Sequence, residues 1–462
     1  HHYLTRVLAV NLKQGRWDKL LYIIALSGLV HAAIGIAQIW LKADMPYLLP
    51  KSPNGVPSGL FQQINNQATF LVAVISLSLF LAARPLLYKR RLFMQLLLVI
   101  TVLLSAYIVG VSGSRIGALT LFISVPLLIF ALRRPLLRNS RFSAAILLAI
   151  VMGFSAGLLP GTSKAIDKTV AMQSGYSGSA RLGIYKISLD LVAEKPVFGH
   201  GVGSFASVFQ FARPAFFEQN PDGTLPKQIV SHPHNEIIQW LVEGGLIALM
   251  GIVLVAIGVL RALRQTGWSR GLAYTGLLLP IVLHTQVELP LYTSILHWFV
   301  LVILLALPFS HQLTNRNNSL TIYANKLAAI SLWAIVGIFI LFLLHTVRSN
   351  WDFVAFYKGE QRENPLQIAK QNPYLSDQAQ WIDMSAMMYS SMQYGLKDNV
   401  EFYTNWGEQY LTKRPDVDLY QKLTDAYEFL GNKPAYCDVA KRGFEIYPQA
   451  ERLQRAVEYC RY

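Results

Sequence analysis

Charged residues are scarce in this sequence. Only 15% of its 462 residues are Asp, Glu, Lys or Arg, whereas 53% are hydrophobic, and the mean hydropathy is +0.36. Because soluble domains carry roughly a quarter charged residues, this shortage excludes an ordinary soluble enzyme and indicates a chain mostly embedded in lipid. No cleavable signal sequence is visible and the chain does not begin with methionine. We therefore expect that the N-terminus is trimmed and that earlier spans precede it.

A continuous basic face is also missing, although the formal net charge is +15. The basic residues fall in short clusters between apolar segments, at 84–91, 133–141 and 261–270. Such clusters are typical of cytoplasmic loops between membrane spans, so they do not indicate a nucleic-acid partner.

Long apolar runs are what the sequence has instead. Runs of about 17 to 25 apolar residues can cross a bilayer as helices. Nine such runs are predicted, at 17–41, 66–84, 92–112, 115–132, 142–160, 236–260, 271–288, 292–309 and 326–346. The predicted fold is an all-α, polytopic membrane bundle. If the spans alternate, the basic clusters share the cytoplasmic side, and the 161–235 loop and everything after residue 346 lie on the opposite side.

The composition changes to polar, helical and aromatic-rich near residue 347. We therefore predict a membrane domain over 1–346, including the 161–235 loop, and a small helical domain over 347–462. Residues 418–448 read as a helix–turn–helix of the tetratricopeptide style. Cys437 and Cys460, the two cysteines of the chain, would lie on neighbouring helices, either as a disulfide or as two separate buried thiols.

The richest polar motif is Ser-His232-Pro-His234-Asn235-Glu236, at the entrance to the predicted span 236–260. An imidazole there is wet, close to a helix N-terminus and neutral near pH 7, which suits a general base at His234. Two alternatives stay open. The motif could merely cap the helix, or His232, His234 and Glu236 could bind a metal ion.

Arg115 and Arg181 fall on the same predicted side as His234. Arginine presents a planar fork that matches phosphate oxygens, so two of them could neutralise a diphosphate without a metal ion. Alternatively, Arg115 is an interfacial anchor, and Arg181 forms a surface salt bridge with Asp190 or Glu194.

A second polar segment lies between the predicted spans 271–288 and 292–309. It holds Gln286, Glu288 and Tyr292 in otherwise hydrophobic sequence. Ionisable residues at membrane depth are costly, so each needs a partner or a purpose. Asn66 adds a polar group at the start of another span.

Together, these motifs resemble the O-antigen ligase superfamily over roughly residues 55–310, and within it the PglL-type bacterial protein O-oligosaccharyltransferases. The motifs that carry the resemblance are, in chain order, Ser-Gly-Ser-Arg115, Arg181 ahead of Glu-Lys-Pro-Val-Phe-Gly-His-Gly-Val-Gly203, His-Pro-His234-Asn-Glu, Glu243-Gly-Gly-Leu and His284-Thr-Gln-Val-Glu-Leu-Pro290. The chain departs from the family in showing about nine spans where more are expected.

The resemblance implies an inner-membrane enzyme that transfers an oligosaccharide from undecaprenyl diphosphate to Ser or Thr hydroxyls of periplasmic proteins such as pilins. By it, His234 matches the catalytic histidine, and Arg115 and Arg181 match the arginines that hold the diphosphate. No metal or other cofactor is expected. The other site residues that we assign are Glu288 or Tyr292 to orient sugar or acceptor, and His232, Asn235, Gln286 and Asn66 to bind substrate. The alternatives are a ligase or polymerase with a glycan acceptor and, in another class, a lipid-linked-glycan transporter.

Overall fold

The computed structural model describes residues 14–47, 49–87, 92–159, 178–313, 321–360 and 364–461, and over these residues the protein is helical, with no strand. The longer helices are α1 Gln14–Leu41, α2 Ile64–Ala82, α3 Leu92–Val111, α4 Arg115–Arg138, α5 Ser140–Gly157, α6 Gly178–Glu194, α7 Phe205–Gln219, α8 Glu236–Gln265, α9 Trp268–His284, α10 Ile295–Leu313, α11 Thr321–Tyr357, α12 Ser376–Tyr394, α13 Lys397–Lys413, α14 Val417–Leu430, α15 Lys433–Ile446 and α16 Glu451–Tyr459. Single turns of helix lie at Pro290–Thr293 and Gln367–Gln371. The chain forms two compact units, a bundle unit of residues 1–202 and 232–317 and a C-terminal unit of residues 203–231 and 318–462.

Seven helices in the described part of the chain are long and apolar enough to cross a membrane. They are Trp17–Asp44, Ile64–Ala82, Leu92–Val111, Arg115–Arg138, Ser140–Gly157, Glu236–Gln265 and Trp333–Tyr357. The sequence predicted nine. The other two predicted spans do form helices, but α9 has only 17 residues and the apolar part of α10 is Ile295–Phe309. The apolar run continued past His284, whereas the helix ends there because residues 285–289 turn.

Hydrogen bonds define two ends of the bundle unit. At one end, Arg84 donates to Asp18 at 2.9 Å, Asn139 donates to the carbonyl of Ala82, and Ser269 donates to the carbonyl of Ala131. These bonds join the start of α1, the end of α2, the start of α5 and the α4–α9 contact. Seven arginines lie in the segments at this end, all of them exposed: Arg133, Arg134, Arg138, Arg141, Arg261, Arg264 and Arg270. We call it the basic end.

The opposite end of the bundle unit is joined by a different set of bonds. Ser114, which caps α4, donates to Asn65 at 2.8 Å, and Asn66 donates to Thr293 at 2.8 Å. These contacts bring the starts of α2 and α4 together with the segment between α9 and α10. Both α9 and α10 therefore run beside the longer helices between the two ends. We call this the site end.

The C-terminal unit has its own core, which includes Tyr403, Leu423 and Tyr447. Helices α14 and α15 form a helical hairpin, and Gly431 at φ 72° ends α14 in the left-handed conformation that glycine adopts without strain. A disulfide joins Cys437 to Cys460. Of the two alternatives that the sequence left open for these cysteines, the structure has the bridge.

Candidate active site

The His232–Glu236 loop is held against the segment that follows α9. Asn235 caps α8 by accepting from the Ile238 N–H at 3.0 Å, as the sequence allowed. The same side chain donates to the Gln286 carbonyl at 3.1 Å, and the Glu236 N–H donates to the Thr285 carbonyl at 2.9 Å. One side-chain bond and one backbone bond thus join the two polar motifs, and the bond from Asn235 spans 51 residues of sequence.

His234 lies at the centre of this junction. Its backbone has φ 56°, a left-handed conformation that is uncommon outside glycine but more frequent for His than for most residues. Its Nδ1 lies 2.9 Å from Oε2 of Glu288, and both side chains are nearly buried. The other carboxylate oxygen of Glu288 lies 3.8 Å from Nη2 of Arg181. The Glu288 carboxylate therefore contacts both His234 and Arg181, two of the site residues that the sequence predicted.

The charge state of Glu288 determines which of the two side chains donates the hydrogen bond between Glu288 and His234. Burial alone would raise the pKa of the Glu288 carboxyl, but the hydrogen bond from His234 and the nearby imidazoles outweigh burial and lower it. Glu288 is therefore ionised near neutral pH and can only accept. The Nδ1 of His234 must then donate to it, and a neutral ring keeps its lone pair on Nε2.

His232 supports the same loop. Its Nδ1 accepts from the His234 backbone N–H at 3.2 Å, and the two rings pack edge to face with centroids 4.4 Å apart. Burial, followed by the charge of His234, lowers the pKa of the His232 imidazole to about 4. His232 is therefore neutral near pH 7. Its ring accepts from the backbone N–H of His234, the residue with the left-handed conformation.

A metal ion could in principle use three of these side chains. Ligand atoms of His232, His234 and Glu288 all lie within 4.8 Å of one another. The sequence alternative had Glu236 as the third ligand, but one Glu236 oxygen accepts from the Trp240 indole at 3.1 Å instead. The Nδ1 of His234 and Oε2 of Glu288 already form a hydrogen bond at 2.9 Å, which is the geometry of an acid–base pair.

Arg115 and Asn66 lie at the site end but not in the His234–Glu288 contact. Arg115 is the first residue of α4 and is exposed, and among the described residues no hydrogen bond or ion pair joins it to His234, Glu288 or Arg181. Asn66 is fully buried and donates to Thr293. Through that bond it contacts the segment that carries Glu288.

The other two predicted site residues, Gln286 and Tyr292, have different surroundings. Gln286 contributes its backbone carbonyl to Asn235, while its side chain donates to the Thr285 hydroxyl at 2.9 Å. Tyr292 lies in the turn Pro290–Thr293 and is half exposed, so its phenol is accessible.

Sequence reasoning missed a break in α8. Gly245, at φ 60° and ψ −156°, interrupts the helix, and the loop after α6 docks there. The His200 N–H donates to the Val242 carbonyl at 2.8 Å, and the Leu246 N–H donates to the Pro196 carbonyl at 2.8 Å. A Cβ on Gly245 would lie 2.4 Å from the Val197 carbonyl oxygen. The turn that begins at residue 196 therefore packs with its backbone against the backbone at Gly244-Gly245. The glycines in both segments were the sequence feature that could have predicted this close approach.

Comparison with known proteins adds two family matches. Residues 100–253 match the family described as O-Antigen ligase, and residues 272–459 match the family described as Virulence factor membrane-bound polymerase, C-terminal. No curated protein matches the chain. The first match covers Arg115, Arg181 and His234, and the second covers Glu288 and most of the C-terminal unit. The matches support the O-antigen ligase superfamily and a membrane glycosyl transfer function, without distinguishing the type of acceptor.

Proposed function

We propose that this membrane protein transfers an oligosaccharide from undecaprenyl diphosphate to Ser or Thr hydroxyls of periplasmic proteins such as pilins. The observation that carries the proposal is the bridge of Glu288 between His234 and Arg181. It joins a potential base to a potential phosphate ligand through one carboxylate, at an end of a membrane bundle where a lipid-linked donor and a water-soluble acceptor can meet.

His234 is the general base of the proposed reaction. With Nδ1 donating to Glu288, Nε2 can take the proton of the acceptor hydroxyl as its oxygen attacks the anomeric carbon. The anomeric carbon–oxygen bond to the diphosphate breaks, and its electron pair leaves with undecaprenyl diphosphate. Glu288 orients the imidazole and stabilises the imidazolium that forms, as a carboxylate does for histidine in other transferases and hydrolases.

Arg181 and Arg115 stabilise the departing diphosphate. The 3.8 Å separation of Arg181 from Glu288 is long for a salt bridge, and the side chain is 40% exposed, so the guanidinium can turn to a phosphate at little cost. Arg115 is exposed at the N-terminus of α4, where the helix dipole also favours an anion. Tyr292, accessible beside this region, is proposed to orient the sugar.

Two features support a periplasmic location for the chemistry. The exposed arginines gather at the opposite end of the bundle unit, which is typical of the cytoplasmic side. The disulfide Cys437–Cys460 is typical of an oxidising compartment such as the periplasm.

A glycan acceptor is the second candidate. The match of residues 272–459 to a membrane-bound polymerase family favours an acceptor that is itself a glycan, either a lipid A core or another repeat unit. Against this, the helical hairpins of the C-terminal unit favour a protein acceptor, because repeat helices commonly dock peptides. A transporter remains the least supported alternative, since the sequence lacks the internal duplication expected of one.

The deciding experiment compares acceptors in one assay. Purified protein receives an undecaprenyl-diphosphate oligosaccharide together with a Ser- and Thr-rich periplasmic protein, lipid A core or a second lipid-linked glycan. We expect a glycan mass to appear on the protein acceptor and to be absent with His234→Gln. In cells, mass spectrometry should find a Ser- or Thr-linked glycan that disappears without this chain. Transfer to a glycan acceptor alone would replace the proposal by the second candidate.

A further inference from the structure

A buried threonine lies behind the proposed site. Thr69 of α2 is fully buried, and its hydroxyl oxygen lies 2.8 Å from Nδ1 of His284 and 3.3 Å from Nε2 of His297. It also lies 2.8 Å from the carbonyl oxygen of Asn65, one helical turn earlier. Neither histidine is exposed. Polar groups buried this deeply in a membrane bundle are costly, so the cluster needs a purpose.

The valence of one hydroxyl limits how the protons of this cluster can be arranged. A hydroxyl has one hydrogen and two lone pairs, so it can serve at most three partners at once. The Asn65 carbonyl at 2.8 Å and the Asn66 carbonyl at 3.4 Å only accept, and threonines in helices commonly donate to such a carbonyl. In that arrangement both imidazoles donate to Thr69, His284 through Nδ1 and His297 through Nε2.

The far side of His297 agrees with this assignment. With its proton on Nε2, a neutral His297 carries a lone pair on Nδ1, which lies 2.8 Å from the hydroxyl of Ser294. Ser294 can donate there while its oxygen accepts from the His297 N–H at 3.3 Å. The hydrogen bonds at Thr69 and Ser294 can therefore all form with both rings neutral and in one tautomer each.

The cluster is joined to the carboxylate of the site through the backbone. His284 is the last residue of α9, and its carbonyl accepts from the Glu288 N–H at 3.0 Å. The turn that presents Glu288 to His234 therefore begins at a residue whose side chain Thr69 fixes. On the other side of the same segment, His297 contacts the same hydroxyl and also bonds to Ser294.

We propose that Thr69 is a positioning residue for the site, whose hydroxyl holds His284 and His297 so that Glu288 meets His234. The inference rests on the proposed glycosyl transfer. A second consequence concerns the Nε2 of His284, which is buried and has no hydrogen-bond partner among the residues that the structure describes. With Nδ1 donating to Thr69, this nitrogen carries no proton and cannot compete with His234 for the Glu288 carboxylate. Removing the hydroxyl frees the ring to turn or change tautomer and to offer that competition.

The test uses Thr69→Val, which keeps the shape but removes the hydroxyl, and Thr69→Ser, which restores it. Thr101→Val is the matched control, because Thr101 is equally buried in α3 and, within the described part of the chain, its hydroxyl bonds to the carbonyl of Leu97 in its own helix alone. We expect Thr69→Val to lower kcat by about tenfold to a hundredfold with the KM for the lipid donor within about twofold, as for a small misplacement of a catalytic group. Thr69→Ser and Thr101→Val should stay near the wild-type kcat.

Equal effects of Thr69→Val and Thr101→Val, or no rescue by Thr69→Ser, would overturn the inference while leaving the proposed function intact. Should Thr69→Val fail to fold, Ser294→Ala decides, since it removes only the hydroxyl that reaches His297; an unchanged kcat then counts against the cluster. If the wild-type protein transfers no glycan, the proposed function fails instead. The inference is then judged by ¹⁵N-histidine NMR, in which the ring nitrogen signals of two histidines should shift in Thr69→Val but not in Thr101→Val.

Discussion

The two ends of the bundle unit treat charge in opposite ways. At the basic end, seven arginines are exposed, and the ion pair between Arg84 and Asp18 joins the start of α1 to the end of α2. At the site end, Glu288 is buried and shared between His234 and Arg181, with His232 against the same loop. A charge in water costs little free energy, whereas a buried charge that is neither neutralised nor hydrogen-bonded is strongly destabilising.

This difference is consistent with the site end as the place of the proposed chemistry. The exposed arginines need no partners because water satisfies them, and they are explained by membrane orientation alone. The site end instead maintains a carboxylate and several imidazoles out of water, with each contact supplied by a separate element of the chain. Polar groups held at such cost are where reactions are commonly found. If so, substitutions at the site end should change the transfer rate, and substitutions at the basic end should change only the stability.

The largest effect is expected from Glu288→Gln. The amide keeps the shape of the carboxylate but can donate, so it favours the His234 tautomer with the proton on Nε2 and removes the base. We expect kcat to fall by about a thousandfold or more, as when the carboxylate behind a catalytic histidine becomes an amide. Asp18→Asn, the matching change at the basic end, should leave kcat unchanged. Single-turnover transfer to a defined acceptor measures both, and equal rates for the wild type and Glu288→Gln would remove Glu288 from the mechanism.

A smaller loss is expected from Arg181→Met. Removing a preorganised positive group from a developing diphosphate should reduce kcat by about a hundredfold or more. Arg181→Lys should recover only part of the rate, because an ammonium cannot make the two parallel hydrogen bonds of a guanidinium. Arg270→Met, an exposed arginine of the basic end, is the control and should be silent. A kinetic assay with varied lipid donor would contradict the assignment if Arg181→Met and Arg270→Met behaved alike.

The sequence predicted the separate polar motifs of the site end but not how they meet. Apolar length and charge clusters predicted most helices, because both follow directly from the bilayer. The sequence predicted that Glu288 orients sugar or acceptor, and it did not predict the contact with His234, 54 residues away, because no local pattern encodes that pairing. The sequence did not predict a role for Thr69, since one threonine inside an apolar run forms no recognisable pattern. The break at Gly245 was hidden in the same way, because hydropathy does not report backbone conformation.

At the basic end the expected effect is on stability alone. Arg84→Met leaves Asp18 nearly buried without its partner, and breaking such a pair costs about 3 kcal/mol of unfolding free energy. The transfer rate per folded molecule should not change. Thermal unfolding in detergent, combined with an activity assay on the folded fraction, separates the two quantities. The double variant Asp18→Asn, Arg84→Met should recover part of the stability, since it removes the isolated charge. A loss of kcat in Arg84→Met would show that the two ends are not independent.

The smallest expected effect is that of a chelator. The ligand atoms of His232, His234 and Glu288 lie within 4.8 Å, which is close enough to test the metal alternative directly. In the proposed mechanism Nδ1 of His234 donates to Glu288, and a metal ion at that nitrogen would replace the proton and break the pair. We therefore expect excess EDTA to leave the transfer rate unchanged, and added zinc to inhibit by competing for His234. Loss of transfer in EDTA that zinc or magnesium restores would reverse the assignment, and the imidazoles of the site end would then be metal ligands.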